Sequence, residues 1–220
     1  MINFEYRYAA HWFKIPGFLF LDVPTPVKNE IKEFLLNFNE KELENYDYDL
    51  KGHLDKEYLI DPGPNLRYLV EDLSENYNKE FYEGVNQNSF HLTRDMRDRG
   101  LKYVLDTAWI NFAKKYDFNP LHKHVGCYSF VIWVKIPYTM EREYQRYNPN
   151  GNETAHFTFC HPSTGGGLTF YQMPVDKEWE WKMAFFPSDL HHQVNPFYTS
   201  DQYRISISGN IRLGFANESD

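Results

Sequence analysis

The sequence predicts a mainly β domain, a sandwich or barrel backed by helices in its N-terminal part. Three observations carry that prediction. Apolar residues recur at helical spacing only before about residue 100, and at a spacing of two after it. The downstream runs are rich in Val, Ile, Phe, Tyr and Trp, are broken by Gly, Pro, Asn and Ser, and have no helical stretch between them. Finally, 18 % of the 220 residues are aromatic, which gives a folded core to a chain whose mean hydropathy of −0.66 would otherwise read as disordered.

The elements follow in chain order. Thr25-Pro26 reads as an N-cap with proline at the first helical position, ahead of a face made by Val27, Ile31, Phe34, Leu35 and Phe38. Pro62-Gly63-Pro64 opens a second helix with Leu66, Leu69, Val70, Leu73, Tyr77 and Phe81 on one stripe. Both stripes predict helices laid on a sheet. Strands are expected at 101–112, 127–136, 155–160, 167–171, 179–186, 192–198 and 203–213. The polar segment 141–153 reads as a long loop over one mouth of the barrel and a candidate lid. No repeat or linker interrupts the chain, so 1–220 reads as a single domain, with 1–100 as helical support and 101–213 as the β core.

Charge and composition exclude several functions. A net charge of −8 without a basic run argues against nucleic-acid binding. No apolar stretch reaches the roughly 18 residues of a spanning helix, so no membrane role is expected. The first residues lack a basic segment followed by an apolar one, so no secretory signal is expected. Two cysteines, Cys127 and Cys160, fit a reducing compartment, and the cytoplasm is the expected location.

Chemistry concentrates in two places. Asn119-Pro120-Leu121-His122-Lys123-His124 puts two imidazoles at i and i+2, on one side of an extended segment. Farther on, Asp189-Leu190-His191-His192 offers a third. Three imidazoles on one ion would leave its opposite positions open, as a catalytic metal requires. In Tyr203-Arg204-Ile205-Ser206-Ile207-Ser208, period two sets Arg204, Ser206 and Ser208 on one face and the two isoleucines on the other. Turned inward, that polar face is an anion clamp; turned outward, Arg204 lies in solvent. The sequence leaves these two options even.

Taken with Trp109-Ile110-Asn111, the run from Ser129 to Tyr138, and the runs from Phe186 to Tyr198 and Arg204 to Asn210, these motifs resemble the 2-oxoglutarate/Fe(II)-dependent oxygenases. The resemblance is greatest to the small ones of T4-like cyanophages. It implies a double-stranded β-helix, the cupin-like jelly-roll barrel, with Fe(II) on His122, His124 and His192. It implies 2-oxoglutarate held by Arg204 with help from Ser206, and a pocket lined by Asn111 and Trp109. O2 would be the co-oxidant and ascorbate a supporting reductant, with a C–H bond hydroxylated and succinate and CO2 released. The family's second ligand is a carboxylate where this chain has His124, so Asp189 or Asp117 remain alternatives, as does His191 for His192.

A three-histidine cupin-type dioxygenase that does not use 2-oxoglutarate, a non-catalytic jelly-roll or virion-associated module, and a carbohydrate-binding sandwich built on Trp179 and Trp181 are the rival readings. Nothing in the chain selects the primary substrate or the oligomeric state; the acidic balance favours a neutral or basic substrate over a polyanion. A phage-encoded chain would act in its host's cytoplasm.

Overall fold

Strand pairing divides the chain between two antiparallel sheets. The computed structural model describes residues 17–46, 52–82, 92–146, 153–163 and 165–215. The larger sheet contains β1 (Leu19–Asp22), β2 (Lys56–Leu59), β3 (Leu101–Ala113), β5 (Tyr128–Lys135), β8 (Lys182–Pro187) and β10 (Arg204–Phe215), in the order β1-β8-β5-β10-β3-β2. The smaller contains β4 (Asn119–His122), β6 (His156–Pro162), β7 (Leu168–Pro174) and β9 (His191–Val194), in the order β4-β9-β6-β7. From β3 to β10 the chain passes repeatedly from one sheet to the other. That winding is the jelly-roll, or double-stranded β-helix, that the resemblance implies.

Composition explains why the larger sheet is covered on both faces. In β5, Tyr-Ser-Phe-Val-Ile-Trp-Val is buried at seven successive positions, the continuous apolar run of a strand with no solvent side. Phe130, Ile132 and Val134 join Ile110 and Ile207 under two helices, α1 (Thr25–Leu36) and α2 (Pro64–Tyr82), whose Val27, Ile31, Leu66, Val70 and Tyr77 complete that core. Val131 and Trp133 face the other way, into a second core between the sheets with Phe157, Phe159 and Phe186. Ile205 and Ile207 of β10 therefore pack on the helix side, while Arg204 and the half-buried Ser206 and Ser208 line the inside of the barrel. Between Arg204 and Ile211 neither face of that strand is open to solvent.

One glycine lets β10 thread through this packing. A Cβ on Gly209 would stand 2.6 Å from the Phe130 ring and from the Thr107 carbonyl, closer than any side chain allows.

Several expectations need correction. Pro24, not Thr25, occupies the N-cap of α1; no side chain caps that helix, and Thr25 is its first residue. Half of the expected 141–153 loop is helix α4 (Met140–Arg146), while residues 147–152 lie outside the described ones. The strand expected at 192–198 ends at Val194, because Pro196 cannot donate to a ladder. Strands β1, β2 and β4, four residues each, carry too short a pattern to register as periodic. Trp179 and Trp181, the rings of the carbohydrate-binding reading, pack on different cores: Trp179 on the inter-sheet core, and Trp181, at φ 68°, on the helix-side core. No described helix is long and apolar enough to cross a membrane.

Candidate metal centre and anion pocket

β4 and β9 pair so that His122 lies directly opposite His192. His124 stands two residues beyond the end of β4, where its backbone N–H donates to the Ser188 carbonyl at 2.9 Å. Gly126, at φ 96°, then turns the chain into β5 where a Cβ would strike the Ile211 carbonyl. The result brings three rings together, with centroids 4.3 Å apart for His122–His192 and 5.0 Å for each of the other two pairs. One nitrogen from each ring lies within 4.8 Å of the others, and among the described residues no other trio of His, Cys, Asp or Glu does this.

Backbone carbonyls orient two of the rings. His122 Nδ1 donates to the Pro120 carbonyl at 2.7 Å, and His192 Nδ1 to that of Leu190 at 2.9 Å. With the proton on Nδ1, each ring's lone pair sits on Nε2, the arrangement of metal-bound histidine. Burial pushes the His124 imidazole down to about 3, with His122 adding to the effect. Burial, then its two ring neighbours, holds His192 well below the usual range. Both are neutral at pH 7, the state that ligates a metal. Phe157 stacks on His192 at 5.4 Å and Phe186 meets it edge-on at 4.9 Å.

The alternative ligands lie elsewhere. His191 is exposed on the other side of β9. Asp189 pairs with Lys123 at 2.6 Å, and Asp117 accepts from the backbone N–H groups of Asp55 and Lys114.

The same cavity, about 490 Å³, is lined by Asn111, Arg204, Ser206 and all three imidazoles. Arg204 is buried opposite Ala113 of β3. Its guanidinium has three partners among the described residues: the Tyr138 hydroxyl and the Asn195 carbonyl, each at a long 3.4 Å, and the Phe197 ring at 5.3 Å. None is a carboxylate. A buried cation so weakly matched keeps hydrogen-bonding capacity that an anion could use. Ser206 accepts from Asn111 Nδ2 at 3.2 Å, leaving its own O–H to turn into the cavity.

Sequence reasoning missed the support around Arg204. Tyr138 and Phe197 stack on each other at 4.8 Å. The buried Glu143 carboxylate accepts from Thr154 Oγ1, from the backbone N–H groups of Tyr198 and Thr199, and from Thr199 Oγ1. It thereby pins the segment after β9 to α4. Nothing in a polar stretch such as 141–153 marks Glu143 as buried. Glu57, also buried in the cavity wall, sits between Lys56 and Tyr58 with no pattern to single it out.

No curated protein matches the chain. Among solved structures it is similar to a prolyl-4-hydroxylase of Pseudomonas putida, at 13 % identity and a TM-score of 0.49, covering 89 % of this chain and 92 % of that one. It is also similar to an oxidoreductase of the 2OG-Fe(II) oxygenase family from Burkholderia pseudomallei, at 14 % identity and a TM-score of 0.44, covering 89 % and 85 %. Within the sequence itself, residues 107–210 match the family described as "Putative 2OG-Fe(II) oxygenase", a span that holds the three imidazoles, Asn111, Arg204 and Ser206.

Proposed function

We propose that the chain is a 2-oxoglutarate- and Fe(II)-dependent dioxygenase that hydroxylates a C–H bond of its primary substrate and releases succinate and CO2. The observation that carries this reading is the sharing of one cavity by three convergent imidazoles and a buried guanidinium with no carboxylate partner. The donor set fits a divalent iron: borderline nitrogen ligands in a site with room for further ligands. Bound there by His122, His124 and His192, iron supplies the activation of O2 that no amino-acid side chain can.

The chain's own residues do the rest. The Pro120 and Leu190 carbonyls fix which nitrogen of His122 and His192 faces inward. Arg204 grips the distal carboxylate of 2-oxoglutarate through charge-assisted hydrogen bonds, and Ser206 adds a hydroxyl donor beside it. Trp133, Phe157 and Phe186 line the cavity with rings and keep bulk water from the reacting centre.

Calorimetric titration of the anaerobic Fe(II) protein with 2-oxoglutarate tests the reading. Saturable binding that collapses in Arg204→Ala supports it, as does succinate release under iron, ascorbate and O2 that His192→Ala abolishes. The third imidazole, standing where the family carries a carboxylate, favours a second reading: a three-histidine dioxygenase that does not use 2-oxoglutarate. Iron binding without 2-oxoglutarate binding, or binding indifferent to Arg204, selects that one.

A further inference from the structure

The three imidazoles are not held in the same way. His122 and His192 stand opposite each other on paired strands, and each ring is steered by the carbonyl two residues before it. His124 has neither support. It lies past the end of β4, and among the described residues its ring makes no hydrogen bond. Its ring contacts are with Trp109, His122 and His192. Its place is therefore set through its backbone.

That backbone is fastened at Ser188, in the turn between β8 and β9. The Ser188 carbonyl accepts the His124 N–H at 2.9 Å, and the Ser188 N–H donates to the Cys127 carbonyl at 3.1 Å. One residue thus grips the His124 turn on both sides of Gly126. An exposed ion pair, Lys123 with Asp189 at 2.6 Å, joins the same two turns at the surface, where such pairs contribute little.

Ser188 is in turn anchored from inside the barrel. It is fully buried, and its Oγ shares a hydrogen bond with Ser129 Oγ of β5 at 3.1 Å. Ser129 donates to Asn210 Oδ1 of β10 at 2.8 Å, and Asn210 Nδ2 donates to Thr107 Oγ1 of β3 at 3.4 Å. Ser129 and Thr107 flank Asn210 in register on its two neighbouring strands. A line of buried polar groups therefore crosses the larger sheet and ends at the turn that no strand pairing fixes. Burial of hydroxyls and an amide is costly, and their mutual hydrogen bonds at best offset that cost. What directional bonds add over apolar packing is a defined position.

We propose that Ser188 is a positioning residue of the metal centre: anchored to the larger sheet through Ser129 and Asn210, it sets where the His124 ring stands relative to His122 and His192. It acts through His124 alone. The assignment rests on the reading of the three imidazoles as metal ligands.

Equilibrium dialysis of the full chain against Co(II), with the visible spectrum of the bound ion, tests this. Ser188→Ala should weaken Co(II) binding about 10- to 100-fold and alter the visible bands. In a His124→Ala background the same substitution should cost less than about twofold, because the residue it acts through is gone. Unchanged affinity and spectrum in Ser188→Ala overturn the proposal, and so does an undiminished loss in the His124→Ala background. Asp189→Asn should bind Co(II) like the wild type; a loss as large as that of Ser188→Ala would assign the tether to the ion pair and overturn the proposal too. Should Ser188→Ala fail to fold, Ser129→Ala, which cuts the same anchor from β5, takes its place with the same outcomes. A wild-type chain that binds no Co(II) overturns the metal centre itself, whereas one that binds Co(II) but not 2-oxoglutarate overturns only the oxygenase reading and leaves this one standing.

Discussion

The guanidinium of Arg204 lies over the ring of Phe197, 5.3 Å from its centroid, and that ring is itself stacked on Tyr138. An aromatic floor holds a cation in place without neutralising it, so the charge stays available to a ligand.

Replacing Arg204 with alanine should therefore weaken 2-oxoglutarate binding by about 2–4 kcal/mol, roughly 30- to 1,000-fold, without lowering the melting temperature. Arg204→Lys should recover only part of this, because an ammonium lacks the planar fork. Calorimetry on the metal-loaded protein, paired with thermal melts, checks both. A fall in melting temperature matching the loss of affinity would mean that Arg204 supports the fold instead.

Metal content should separate the histidines. Alanine at His122, His124 or His192 should cut bound metal per chain well below that of the wild type, with His192 and His122 the most severe. His191→Ala and Asp189→Asn should leave it unchanged, since His191 is exposed and Asp189 is occupied by Lys123. Atomic absorption after anaerobic loading, and the visible spectrum of the Co(II) form, give the measurement.

Glu143 should matter to stability and to affinity together. Its carboxylate takes several donors at almost no exposure, and charged hydrogen bonds of this kind contribute about 1.5–3 kcal/mol each. Glu143→Ala should destabilise the fold by about 3 kcal/mol, read by urea unfolding, and Glu143→Gln by less. Both should raise the Kd for 2-oxoglutarate, because the segment they release supplies Asn195 and Phe197 to Arg204.

Burial pushes the Cys127 thiol up from 9 to about 11. The unfolded chain loses its proton first, so this contribution is whole below pH 9 and falls as the pH climbs from 9 toward 11. The loss should reach about 1 kcal/mol by pH 10, and Cys127→Ala should flatten that part of the profile. Native protein should also resist alkylation at Cys127 at pH 8.5 until denaturant exposes it.

How much of this was legible beforehand depends on the length of the signal. α2 and the long strands β3, β5 and β10 carry enough periodic residues to announce themselves, and so does the pairing of Arg204 with Ser206 on one face. The direction of that face was not legible. Both sides of β10 are covered, and only the helices lying on Ile207 and the barrel enclosing Arg204 show which side is which. His122 and His124 stood out by spacing, whereas the choice of His192 over His191 depends on which side of β9 faces inward. Glu57 and Glu143 were invisible because a buried carboxylate looks like any surface one until its donors or its cavity are in place.

The register that sets His122 against His192 has a consequence for how the protein matures. The two rings belong to strands of four residues each, seventy positions apart, and they meet only where β4 and β9 lie side by side. A nascent chain that has emerged only as far as β8 carries two of the three imidazoles. An ion held by all three imidazoles could therefore bind only after β9 has paired with β4, and would then tie the two short strands together as a cross-link does. Retention of metal by all three rings would thus report that β9 has found its place beside β4.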